Sequence, residues 1–306
     1  MGWVPPKFSG LIQIGLVISM VNIIFNRLQK YSKIFKGLYR IVYTKKNHVK
    51  QHDHRDQSVL NLVKLAFDSI HTDVILQMRS FNLIIDTGDY GEFSSCKYSE
   101  SLVPDFNFDK WETVGQYDYS DITQKMINKS KEEPIYNELF WVGSFYCHYS
   151  RSKLFQMTKQ DPRIKINDTN SWHWNNIKNR EQPNNNNYVS MLDHCNYKYL
   201  IDFQGSGYSG RTKYLLHSGR PLFYISRYWN EYWFFDLKPF VHYIPVKEDL
   251  SDFYQNFEWT INNKEQAQAI ADNALDYAKN NLKKSDAINK YKKILLTKGG
   301  ICTTTL

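Results

Sequence analysis

Apolar residues recur at helical spacing in two long stretches. In residues 57–71 they fall at Val59, Leu60, Leu62, Val63, Leu65, Ala66 and Ile70, and in residues 264–281 at Ala267, Ile270, Ala271, Ala274, Leu275 and Ala278. Each predicts an amphipathic helix. Residues 285–296 continue the second helically. Short apolar runs bounded by polar or glycine residues predict strands at 81–85, 139–142, 197–203, 222–225 and 241–246. Residues 103–109 read as a short extended piece, and 228–233 as a loop leading into a helix. Residues 48–56, with three histidines and two aspartates, read as a solvated polar turn rather than a metal site. Residues 161–187, which hold Asn184 to Asn187, read as an exposed loop.

Residues 8–25 carry no charge and are followed by a basic run from Arg27 to Lys46. At about 18 residues the apolar segment just reaches spanning length, so a membrane anchor or surface helix and a buried helix both stay open. The charged break Lys131-Glu132-Glu133-Pro134 is where a domain boundary is expected. That divides the chain into the apolar segment 1–28, a first domain at 29–133 and a second at 134–306.

A chain of 306 residues with 42% hydrophobic residues is long enough for two compact cores. The formal net charge of +8 suits an anionic ligand, an anionic surface or nucleic acid. No basic block or nucleic-acid motif supports the last. The four cysteines form no CxxC pair, so a zinc site is not indicated.

The densest chemistry runs from Asp193 to Asp252. The strand candidate 197–203 ends in Asp202 and Phe203 and is followed by Gln204-Gly205-Ser206-Gly207-Tyr208-Ser209-Gly210. Arg211 then opens what reads as the first turns of a helix. Strand, glycine-rich turn and helix aim backbone N–H groups at one point, an arrangement suited to phosphate. The spacing Gly205, Gly207, Gly210 matches a dinucleotide fingerprint, but alone it equally fits a turn with no ligand. A dinucleotide site would want an acidic residue at the end of the next strand, and that strand ends at Ser226-Arg227.

The run YKYLIDFQGSGYSGRTKYLL, followed by LKPFVHYIPVKEDLSD, resembles glycosyltransferase family 90, the lipopolysaccharide-modifying and capsule-associated group that includes protein O-glucosyltransferases and xylosyltransferases. The resemblance extends with gaps over residues 82–281. It implies an α/β fold of two Rossmann-like domains facing across a cleft, of the GT-B type, with the C-terminal helices crossing back to the first; the order of elements is compatible. It implies inverting transfer of glucose or xylose from a UDP-sugar to a hydroxyl of a protein, glycan or polysaccharide acceptor. The strand-end segment Asp86-Thr87-Gly88-Asp89-Tyr90-Gly91 resembles the family motif whose aspartate is the catalytic base, which falls on Asp89. Gly88 stands where the family usually has arginine, and Gly91 where it has proline. The same resemblance implies a donor-binding set of Ser144, Arg151, Asp202, Gly207, Ser209, Gly210, Arg211 and Glu231, with Val142 replacing a usual arginine and Glu231 expected at the ribose. No Asp-x-Asp motif occurs, so no metal and no other cofactor is expected. A dinucleotide-binding oxidoreductase module and a catalytically silent scaffold are the alternatives.

Overall fold

The computed structural model describes residues 31–36, 39–45, 53–88, 92–169 and 188–302. The apolar segment 8–25 lies outside them, as does Asp89. Among the described residues no helix is long and apolar enough to cross a membrane.

The chain divides into two compact units, residues 1–88 with 288–306, and residues 89–287. The first unit holds strands β1 (Tyr31–Lys36) and β2 (Tyr39–Lys45), helices α1 (Asp53–Asp68) and α2 (Thr72–Ile75), and strand β3 (Phe81–Ile85). Its sheet runs β1-β2-β3, antiparallel then parallel. Helix α1 follows most of the predicted stripe, with Val59, Leu60, Leu62, Val63 and Ala66 buried, as is Ile70 just past its end; Leu65 is exposed instead, and Phe67, outside the stripe, is buried. It begins four residues before the amphipathic stretch, at Asp53, so the end of the expected polar turn is helical. The later turns of the last helix belong to this unit, where Lys292 Nζ donates to the Ser69 carbonyl at 3.3 Å and Tyr291 and Leu295 are buried.

The second unit starts well before the expected boundary near Pro134. Its elements are β4 (Ser94–Ser95), α3 (Tyr119–Lys129), β5 (Tyr136–Gly143), α4 (Tyr149–Thr158), β6 (Ile164–Asp168), β7 (Tyr197–Asp202), α5 (Thr212–Leu215), β8 (Leu222–Ile225), β9 (Asn230–Glu231), β10 (Ile244–Val246), α6 (Phe253–Asn262) and α7 (Lys264–Asn281). The final helix, α8 (Lys284–Lys298), runs from this unit into the first. The boundary moves because residues 92–133 find their partners downstream. Strand β4 pairs antiparallel with β9, joining Ser94 to Glu231, and Asp105 forms an ion pair with Lys213. A charged, proline-ended break shows only that the chain turns there. Two other expectations also shift. Residues 106–108 form a 3-10 turn capped by Asp105 rather than an extended piece. Residues 164–168, inside the expected loop, are the edge strand β6, its Ile164 and Ile166 turned into the core.

The main sheet is wholly parallel in the order β10-β8-β7-β5-β6. Both faces are covered, which is why its strands read as continuous apolar runs rather than alternating ones. Leu139, Trp141, Tyr199, Ile201, Phe223, Ile225, Ile244 and Val246 build one core with Leu154 of α4, Phe253 and Phe257 of α6 and Ile270 of α7. The intervening Phe140, Leu200, Leu222 and Tyr224 are buried on the other side. The chain leaves β5 outward to β6, then returns to the opposite side of β5 to build β7, β8 and β10. The ends of β5 and β7 therefore flank the topological switch, the place where parallel α/β sheets open a crevice for ligands.

Candidate active site

Four of the expected donor residues gather at those two strand ends. Strand β5 ends at Gly143, where a Cβ would lie 2.7 Å from the Trp141 ring and 3.1 Å from Arg211 Nη2, so only glycine lets both pack against the backbone. Ser144 follows, its hydroxyl accepting from Tyr146 N–H at 3.3 Å to cap the next 3-10 turn. Arg151, in the first turn of α4, donates Nη1 to the Ser144 carbonyl at 2.7 Å and Nη2 to the Gln204 carbonyl just past β7. It ties the two strand ends together. Arg211 donates Nη1 to the Val142 carbonyl at 2.5 Å. The two guanidinium groups lie over the Trp141 ring, 5.1 and 5.5 Å from its centre.

Asp202, the last residue of β7, is fully buried and acts as the hub. Its carboxylate accepts from Ser209 Oγ at 3.0 Å, Thr212 Oγ1 at 2.5 Å and Arg227 Nη1 at 3.1 Å, and Arg227 Nη2 donates to its carbonyl at 2.9 Å. Ser209 and Thr212 are thereby pinned, and with them the loop that carries Gly210 and Arg211. Gly207 is buried in the same loop.

Arg227 is ion-paired with Asp202, while Arg151 and Arg211 donate to backbone carbonyls and feel the same carboxylate only through space. Burial pulls Arg151 down to about 10, and burial also lowers Arg211, each opposed in part by Asp202. Arg151 Nε is buried with no hydrogen-bond partner. Backbone carbonyls spread some of the excess charge, yet a formal surplus of two positive charges is left partly desolvated. Such a surplus is costly unless an anion completes it. A diphosphate supplies the charge and matches the fork geometry of guanidinium.

The expected helix N-terminus contributes less than the sequence pattern implies. Helix α5 is four residues long and passes into a 3-10 turn at Leu216–Ser218. One turn has little aligned dipole, so side-chain charge carries the electrostatics. Gly205, Gly207 and Gly210 are also not used for left-handed backbone, which among the described glycines occurs at Gly115, Gly219 and Gly300. Gly210 is needed for close approach instead. A Cβ there would sit 2.4 Å from Asn107 Nδ2.

Glu231, expected at a ribose, has both carboxylate oxygens on Lys213 Nζ, at 3.0 and 3.1 Å. The same Nζ reaches Asp105 Oδ2 at 3.0 Å and the Gly210 carbonyl at 3.2 Å. All three charged groups are buried, and burial pushes Glu231 up to about 7, with Lys213 opposing and Asp105 adding. Glu231 also edges a cavity of about 10 Å³ shared with Ser209, Thr212, Tyr224 and Arg227, room for about one water.

The sequence pattern missed Trp141, Arg227, Asp105, Asn107 and Lys213. For Arg227 the signal was present. It follows the apolar run 222–225, a strand-end position in a parallel sheet, and draws notice first for the acid it is not. For Asp105 and Lys213 no local signal exists, since the partners are 108 residues apart. Among the described residues no group of three metal-ligating side chains converges.

The fold and site define a parallel α/β unit with an arginine-rich switch point. The glycosyl transferase family 90 model matches residues 38–300, and the chain belongs to that family. Protein O-glucosyltransferase 1 of Bos taurus is 27% identical over 253 residues, covering 74% of this chain and 63% of that protein. The Homo sapiens protein of the same name is 26% identical over 242 residues, covering 70% and 61%. O-glucosyltransferase rumi of Drosophila melanogaster is 30% identical over 150 residues, covering 47% and 36%. The chain thus spans less than two thirds of the length of these relatives. The Anabaena Alr3699/HepE structure in complex with UDP-glucose aligns over 82% of this chain and 69% of that one at 12% identity, with a TM-score of 0.38, too distant to bear on fold or ligand.

Proposed function

We propose that this protein is an inverting glycosyltransferase that moves a glucosyl group from UDP-glucose to a hydroxyl of a protein acceptor. The observation that carries the reading is the surplus of buried guanidinium charge around Asp202 at the β5–β7 switch. Family membership and relatives named as protein O-glucosyltransferases support the sugar and the acceptor class. UDP-xylose is the second donor to test, because it differs from UDP-glucose by one CH₂OH group.

In the reaction the acceptor oxygen attacks the anomeric carbon as the bond to the β-phosphate oxygen breaks. UDP leaves, and the acceptor proton passes to a base. Asp89 is the candidate base by its place in the family motif. One base on the acceptor side suffices for a single displacement, in contrast to the paired carboxylates of a retaining hydrolase. Arg211 and Arg151 stabilise the charge that grows on the diphosphate, with Ser209 and Gly210 placing the loop. Guanidinium groups can do this without a bridging metal.

The test is UDP release from a panel of UDP-sugars with protein acceptors, with the anomeric configuration of the product determined. UDP-glucose turnover with inversion is expected. Arg211→Ala should lower turnover by about 10²-fold or more, as loss of one preorganised electrostatic group does elsewhere. A folded Arg211→Ala protein with near-normal turnover removes Arg211 from the site, and release of no UDP from any sugar removes the reading.

A further inference from the structure

The segment 105–107 meets the far end of the donor loop through four contacts that share one purpose. Asp105 Oδ2 accepts from Lys213 Nζ at 3.0 Å, Asn107 Nδ2 donates to the Gly210 carbonyl at 3.1 Å, and Tyr214 Oη donates to the Asn107 carbonyl at 2.9 Å. The fourth is steric, since Asn107 occupies the space a Cβ on residue 210 would need. Asp105 also caps the 3-10 turn beneath, accepting from Asn107 N–H at 3.2 Å. Asp105, Asn107, Lys213 and Tyr214 are all buried.

The arrangement is expensive as pure packing. Lys213 holds two buried carboxylates, and Asn107 Oδ1 is buried with no hydrogen-bond partner. A buried, unmade acceptor costs free energy that an apolar side chain of the same shape would not. What the asparagine obtains in return is a fixed Gly210 carbonyl, one residue from the arginine that reaches Val142. Asp202 pins the loop at Ser209 and Thr212, so the clamp and the hub hold Gly210 and Arg211 from both sides.

We infer that Asp105, Asn107 and Lys213 are positioning residues that set the Gly210–Arg211 backbone for the diphosphate of the donor. This rests on the donor reading above, and it assigns a function to a segment that the donor set did not include.

The test uses the full chain, free UDP as the probe, and Asn107→Leu. A structural role alone predicts that this variant changes only stability, by the lost bond to the Gly210 carbonyl set against the removed unsatisfied oxygen, and that UDP affinity is unchanged. The positioning role predicts, in folded protein, UDP affinity reduced about tenfold and faster amide hydrogen exchange confined to residues 204–213. Should Asn107→Leu fail to fold, Asp105→Asn makes the same measurement, since asparagine keeps the cap and weakens only the hold on Lys213. UDP affinity within twofold of wild type, or unchanged exchange in the loop, overturns the inference. Wild-type protein that takes up no UDP would count against the donor reading instead, and the exchange measurement would still decide the clamp.

Discussion

Replacing Asp202 by asparagine isolates the counter-ion of the site. The change removes one negative charge from a position where Arg227 is paired and Arg211 and Arg151 are near enough to feel it. Breaking a buried ion pair by deleting one charge costs about 3–5 kcal/mol. The asparagine oxygen can still accept from Ser209 or Thr212, which recovers about 1 kcal/mol. The net expectation is a loss of about 2–4 kcal/mol. Asp202→Ala removes both hydroxyl acceptors as well and should cost about 1–2 kcal/mol more. Urea denaturation followed by tryptophan fluorescence measures both, since at constant m a shift in midpoint is a shift in stability. If Asp202→Asn lay within about 0.5 kcal/mol of wild type, Asp202 would not be the counter-ion. If asparagine and alanine cost the same, the hydroxyl contacts would contribute nothing.

Gly143→Ala should abolish UDP binding in calorimetry and cost about 1–3 kcal/mol of stability, because its Cβ would displace the buried Trp141 ring or Arg211; unchanged affinity would mean that the crowding is relieved elsewhere. Phe223→Ala should cost about 3–5 kcal/mol, since the ring is fully buried against Phe253 and Phe257, and a loss under about 1 kcal/mol would show that the core collapses into the gap. Burial lowers His194 and His217 to about 4, so their contribution to stability is complete above about pH 6.5 and is lost as pH falls through about 4. Glu231, raised to about 7, acts in the opposite sense, its contribution being lost as pH rises from about 4.5 to about 7. The measurement is therefore the difference between wild type and His217→Gln, whose urea midpoint should fall less between pH 7 and 4.5; parallel curves would refute the assignment.

Residues 222–225 and 264–281 were read from the sequence as the strand and helix that the structure contains, end for end. Burial on one or two faces imposes a period that neighbouring residues display without reference to the rest of the chain. The same logic placed the ends of β5 and β7, because glycine and polar residues interrupt an apolar run where a buried strand stops, whereas Ser144, Arg151, Asp202 and Arg211 were singled out by the family resemblance. The glycine turn was legible as a turn, though its reason was not. Gly210 is glycine because Asn107 lies against it, and Asn107 is 103 residues away.

The family motifs and the apolar periods were fixed by the residues themselves, each carrying its signal within a few positions. Tertiary structure alone decided that residues 92–133 join the second unit, that three arginines gather near one aspartate, and that Lys213 turns inward between Asp105 and Glu231. Those outcomes depend on which groups become neighbours after the chain has closed loops as long as the 108 residues between Asp105 and Lys213, or longer. A charged side chain looks the same in sequence whether it will meet water or a buried partner, because desolvation is a property of the assembled interior.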